Sequence, residues 1–296
     1  MKRIFALLFG MVSCCFQSLA QPGTADLSFN GGLPAPDGEV ITTVVQSDGK
    51  ILIGGNFSNY NGVARNDIAR INPDGSLDPS FDAGTSLGIS GEVHSIAIQS
   101  DGKFLVSGVF NTIAGFRFLL RLNTDGNLDN TFIPFFNSSG IVTGFRVLEK
   151  INKVIIQPDN KLLIVAREGD NLGSNGLFFR MHPDGSLDEN FLIITSSGDF
   201  KTALLQPDGR ILIGGYFQGY SGFSTILNIT TFTPIPKNII RVLDNGYLDE
   251  LLSFDRTGVD GIVNDLCLQP NGKILVACSS VSETGNVSTG ISRLES

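Results

Sequence analysis

Short apolar runs alternate with tight polar turns along this chain, and the alternation repeats. "VVQSDGKILIGGNF" at Val44 returns as "AIQSDGKFLVSGVF" at Ala97, "IIQPDNKLLIVA" at Ile155, "LLQPDGRILIGGYF" at Leu204 and "CLQPNGKILVAC" at Cys267. Aligned on Gln46, Gln99, Gln157, Gln206 and Gln269, the five copies lie 53, 58, 49 and 63 residues apart. Each predicts a hairpin. One strand ends at the Gln. A turn such as Asp48-Gly49 or Asp159-Asn160 follows, of the kind that needs positive φ. A second apolar strand such as Ile51-Leu52-Ile53 leads out. After a variable loop, a third strand carries one Arg ("IAR", "LLR", "FFR", "IIR", "ISR") and a second turn leads into a polar fourth strand such as "SLDPSF". The first two strands are apolar at consecutive positions, so both their faces must be covered. The fourth is mostly polar. No long segment has a helical period. Small sheets buried at one edge and wet at the other are blades, so the pattern predicts an all-β, five-bladed β-propeller of four-stranded antiparallel blades.

The fifth copy ends at Arg293-Leu294-Glu295-Ser296, without a fourth strand. Ahead of the first copy, "QPGTADLSFNGG" places Gly23, Asp26 and Phe29 at the spacing of Gly75, Asp78 and Phe81. The N-terminal strand is therefore expected to complete the last blade and close the ring, leaving no free edge. Arg and Asp recur eight residues apart across each complete outer hairpin, at Arg70 and Asp78, Arg121 and Asp129, Arg180 and Asp188, and Arg241 and Asp249. That spacing sets them opposite each other. By the same logic Arg293 pairs with Asp26.

The pattern "QpDGKiLigGxF … iaRlNpDGslDxsF" resembles the delta-60 repeat family of exported bacterial β-propeller repeats. The match is specific at Gln46 to Phe81, Gln99 to Phe132 and Gln206 to Phe217. The third copy departs at Val165-Ala166-Arg167, the fifth at Ala277-Cys278, and the fourth has Leu252 where a Phe is expected. The resemblance implies a propeller and export, and no chemistry.

Composition adds the compartment. Lys2 and Arg3, an apolar run from Ile4 to Phe16 and Ser18-Leu19-Ala20 read as a signal peptide over residues 1–20. A lipoprotein signal at Cys14 is the less favoured reading. Residues 21–296 then form one propeller domain, periplasmic or extracellular. Removing Lys2 and Arg3 from 21 basic residues leaves 19 against 29 acidic, a net charge of −10, which argues against nucleic acid. No later run is long enough to span a bilayer. Cys267 and Cys278 lie on opposite arms of the fifth hairpin, out of direct register. They read as small buried thiols or, less readily, a disulfide.

Candidate chemistry is sparse. "NPDGSLD" resembles half of a calcium loop, but it sits in a hairpin turn and its last Asp has an Arg, so no metal and no cofactor are expected. No catalytic set is evident. Five residues before each aligned Gln stand Ile41, His94, Asn152, Lys201 and Asn264. Four are polar at the start of a buried strand, where a polar group needs a partner or water. His94, Asn152, Lys201 and Asn264 are the candidate ligand-binding residues, at the channel mouth on the face of the long loops. A plug of ordered water is the competing reading. The expected protein is a monomeric, non-catalytic scaffold for a small molecule, glycan or protein. An extracellular glycan hydrolase or lyase is the alternative.

Overall fold

A computed structural model describes residues 28–29, 36–84, 90–112, 115–136, 147–170, 173–223, 230–234, 238–249, 261–281 and 287–294. The first unit holds β1 (Glu39–Val45), β2 (Ile51–Asn56), a small hairpin of β3 (Asn59–Tyr60) and β4 (Val63–Ala64), and β5 (Ile68–Ile71). The second holds β6 (Ser90–Ile98), β7 (Phe104–Thr112) and β8 (Gly115–Leu122). The third holds β9 (Val147–Ile156), β10 (Leu162–Asp170) and β11 (Gly173–Met181). β12 (Ile193–Leu205), β13 (Ile211–Phe223), β14 (Thr230–Pro234) and β15 (Ile239–Val242) make the fourth; β16 (Ile262–Leu268), β17 (Ile274–Val281) and β18 (Val287–Leu294) make the fifth. All pairings are antiparallel. The first, second and fifth units are separate sheets of order β1-β2-β5, β6-β7-β8 and β16-β17-β18.

The expected fourth strand is reduced to one bridge per unit: Ile71 to Leu77, Leu122 to Leu128, Met181 to Leu187 and Val242 to Leu248. The next residue, an Asp, ends it. Asp78 Oδ1 accepts Ser80 N–H and Oγ–H, and Asp129 Oδ1 does the same with Thr131. Such side-chain turns compete with a ladder. The fourth unit also departs from expectation. Part of its variable loop is a β-arm, where β13 runs on to Phe223 and pairs with β14. The start of β12 pairs with β11, so the third and fourth units share one sheet.

The core lies between units. Leu52 and Ile68 of the first unit pack with Val93, Ile96 and Val106 of the second, and similar layers join each later pair. At two of these layers a knob fits a glycine gap. Val93 sits 2.4 Å from where a Cβ on Gly54 would stand, and Val263 2.4 Å from one on Gly214. Val93, Ile151, Phe200 and Val263, each six residues before its Gln, are fully buried. Their equivalent in the first unit, Val40, is 39% exposed, and Val45 is 65% exposed. Among the described residues, the inner part of that unit's outward face is therefore uncovered. Its outer part is covered by the unit's own hairpin: Tyr60 packs on Ala69 and Ile71 and donates its hydroxyl to Gly75 O. At the other end of the array Ile291 is 77% exposed.

The Arg–Asp pairs form in all four complete hairpins. Nε to Oδ2 distances are 2.7, 2.8, 2.7 and 2.8 Å for Arg70, Arg121, Arg180 and Arg241. Each Asp takes a second cation from the start of the second strand: Lys50, Lys103, Lys161 and Arg210. Three of the Arg side chains do more. Arg70 Nη1 donates to Thr124 O, Arg121 to Pro183 O and Arg180 to Asp244 O, each on the following unit's outer turn. Each of these three also stacks on the Phe that follows its Asp, at 5.0, 4.8 and 4.6 Å. Asp26 lies outside the described residues. Arg293 is exposed on β18.

Candidate functional site

The five candidate positions share a backbone feature that sequence alone did not disclose. Each falls at a register shift between the first two strands of its unit. Val40 pairs with Gly55 and Thr42 with Gly54, so Ile41 is skipped. His94, Asn152, Lys201 and Asn264 are skipped in the same way. A β-bulge inserts one residue, bends the strand and turns its side chain. Here it brings the bulged residue and the next one to the same side, while the apolar residues around them stay in the inter-unit layers.

Three of the turned side chains reach the following unit. His94 Nδ1–H donates to Ile151 O at 3.3 Å, and its Nε2 lies 3.4 Å from Glu92. Asn152 donates to Phe200 O at 2.7 Å and to Asp199 Oδ1 at 3.3 Å. Lys201 donates to Asn264 Oδ1 at 3.4 Å, and Asn264 to Ser279 Oγ at 3.1 Å. The candidates thus form neighbouring links, with only Lys201 and Asn264 in direct contact. The residues after them make a second row. Lys153 donates to Thr202 Oγ1 at 3.0 Å and reaches Asp265 of the fifth unit at 2.7 Å; Thr202 also donates to Asp265. Burial pushes the Asp265 carboxyl up, but the Lys153 ammonium and Thr202 hydroxyl outweigh it and hold it below the usual range. Burial raises Asp199, against the nearby Lys150, Arg167 and Lys201.

The two turn sets share one side of the array. A Cβ on Gly49 would stand 3.3 Å from Pro73 Cγ, and one on Gly102 3.2 Å from Thr124 Cγ2. At the opposite end of the inner strands, a cavity of about 420 Å³ is lined by Asp37, Asn56, Ser58, Asn66, Asp67 and Gly91, among others. Asp37 accepts bonds from Ser58 and Asn59, which hold its carboxyl well below the usual range. Asp67 is buried, and desolvation pushes it up to about 6, helped by the charge of Glu92. Its carboxylate accepts backbone N–H bonds from Phe57 and Gly91. Asn238 does the same work in the fourth unit: Oδ1 accepts Phe217 N–H and Nδ2 donates to Gly261 O. Both side chains tie a third strand to the start of the next unit.

Among the described residues no group of three or more His, Cys, Asp or Glu is placed to hold a metal. Cys267 pairs with Leu275 and Cys278 with Val263, and both thiols are free. Among the described residues no helix is long and apolar enough to cross a membrane.

Four segments, residues 46–81, 99–132, 157–191 and 206–227, match a family model described as a domain of unknown function (DUF5122) beta-propeller. No curated protein matches. Similar solved structures include a protein of unknown function from Bacteroides caccae, 16% identical, TM-score 0.46, covering 89% of this chain and 80% of that one. A gluconolactonase from Xanthomonas campestris is 16% identical, TM-score 0.42, over 84% of this chain and 69% of that one. The WD40 beta propeller domain of Doa1 is 14% identical, TM-score 0.42, over 86% and 64%. Over these four segments the chain therefore matches β-propeller repeats.

Proposed function

We propose that this protein is an exported, non-catalytic binding scaffold of the delta-60 type, closed into five blades by its N-terminal strand. Its ligand, a small molecule, glycan or protein, sits on the loop face where the inner strands bulge. The bulges carry this reading. A bulge re-aims a side chain, and here it turns one residue per unit out of the inter-unit layers. Four of the five re-aimed residues are polar, and Lys201 supplies a cation for an anionic group, with His94, Asn152 and Asn264 as hydrogen-bonding partners. The row of Lys153, Thr202 and Asp265 gives them a floor.

The test is a glycan and protein array followed by the His94→Ala, Lys201→Ala double variant. Loss of the ligand with an unchanged melting temperature supports the site, and undiminished binding removes it. The alternative, a glycan hydrolase, draws on Asp37 and Asp67, two carboxyls in one cavity with opposite shifts. Asn238 weakens it, because an amide fills the same structural role where no acid exists.

A further inference from the structure

Each aligned Gln closes its inner turn through the backbone. Gln99 N–H donates to Lys103 O, and Gln99 O accepts Gly102 N–H; the other four do likewise. The side chains are not served this way. Oε1 of Gln46, Gln99, Gln157, Gln206 and Gln269 is buried with no donor among the described residues. In the three inner units the whole residue is buried, at 7, 9 and 5% exposure.

A buried acceptor left without a donor costs about 1–3 kcal/mol, and Leu or Met would fill the space without that cost. Yet the chain writes Gln at this place five times, while the next residue varies between Ser and Pro. The donor has to be small and neutral, and it has to fit all five settings. Backbone groups are available to share it. β1, β6, β9 and β16 each end a sheet, so alternate N–H and C=O groups on that edge face no other strand. A lone amide oxygen is a poor cation site, since hard cations gather six or more oxygens. Water meets every condition.

We propose that each Gln Oε1 accepts a hydrogen bond from a buried water, one per unit, which passes its remaining bonds to the free edge of the inner strand or to the adjacent unit. These sites lie at the turn end of the inner strands. They are distinct from the bulges and independent of any ligand bound there.

Two measurements on the full chain decide it. A crystal structure with resolved solvent should show a water within hydrogen-bond reach of Oε1 at Gln99, Gln157 and Gln206. Oxygen-17 relaxation dispersion should count about one fewer long-lived water in Gln157→Leu than in the parent. Dry density, with the amide rotated so that its NH₂ donates to a neighbouring carbonyl, overturns the proposal. So does an unchanged water count in a folded Gln157→Leu. If that variant fails to fold, the parent crystal structure alone decides between a bound water and a rotated amide.

Discussion

At the scale of single residues, buried carboxylates pull stability in opposite directions with pH. Burial works against ionised Asp78 and Asp188, but Lys50 with Ser80, and Lys161 with Arg180, outweigh it; Asp129 is lowered chiefly by Lys103. Groups depressed in the folded state stabilise it above their ordinary pKa, and that stability is lost as pH falls. Asp67 is raised, so its contribution is present below about 4 and is lost as pH rises through about 6. Urea titrations should therefore show a stability maximum in mildly acid solution. Asp67→Asn should remove the alkaline limb and raise stability at pH 7.5 by about 1–3 kcal/mol. A variant less stable than the parent at that pH would show that the charge itself is needed. Asp188→Ala leaves Arg180 and Lys161 facing a buried gap, and should cost about 3–5 kcal/mol in the same titration.

At the scale of elements, the outer turns show what repetition encodes. Gly126 has φ of 96°, and a Cβ there would stand 2.7 Å from the backbone of Asp82, in the linker from the unit before. Gly185 and Gly246 meet Ile133 and Leu192 similarly. Gly209, in an inner turn, has φ of 86° and nothing within 4 Å. Gly209→Ala should then cost only the left-handed backbone, about 1–2 kcal/mol. Gly126→Ala should cost clearly more, and equal losses in paired thermal melts would mean the linker yields freely. The positive φ was legible in the sequence, because Asp-Gly between apolar runs signals it. The second burden on Gly126 was not, since it comes from a neighbour some forty residues back. The bulges were illegible for a related reason. An inserted residue shifts the side-chain alternation by one, and at strands covered on both faces no alternation exists to be shifted. What remained readable at Ile41, His94, Asn152, Lys201 and Asn264 was polarity. Arg–Asp opposition within the four complete hairpins was readable, because a hairpin fixes its own register. That Arg70, Arg121 and Arg180 also reach the next unit was not, because no local spacing records it.

At the scale of the whole molecule, the described residues offer a knob without a hole and a hole without a knob. Gly54 receives Val93 and Gly214 receives Val263; continued around a ring, Ala277 would receive Val40. The five-bladed reading thus predicts that Val40→Cys with Ala277→Cys forms a cross-link within one chain. A cross-linked dimer on a non-reducing gel would mean that a second copy meets that face instead. Deleting residues 21–30 should lower the melting temperature, since those residues are read as the fourth strand of the last blade. An unchanged melt would leave the seam without its strap.

The arginine contacts run only one way. Arg70, Arg121 and Arg180 each give a hydrogen bond to the unit that follows. A chain emerging from the ribosome therefore carries, in its newest finished unit, a guanidinium whose acceptor has not yet been made. Folding of a chain that emerges N-terminus first should trail its emergence by one unit, and an arrest-peptide series on the protein made without residues 1–20 should register tension only when the next outer turn has cleared the tunnel. Protein made from the other end would not wait in this way, since an unused carbonyl at a wet turn costs almost nothing. Orientation along the chain is thus a property of the polypeptide's birth as well as of its finished form.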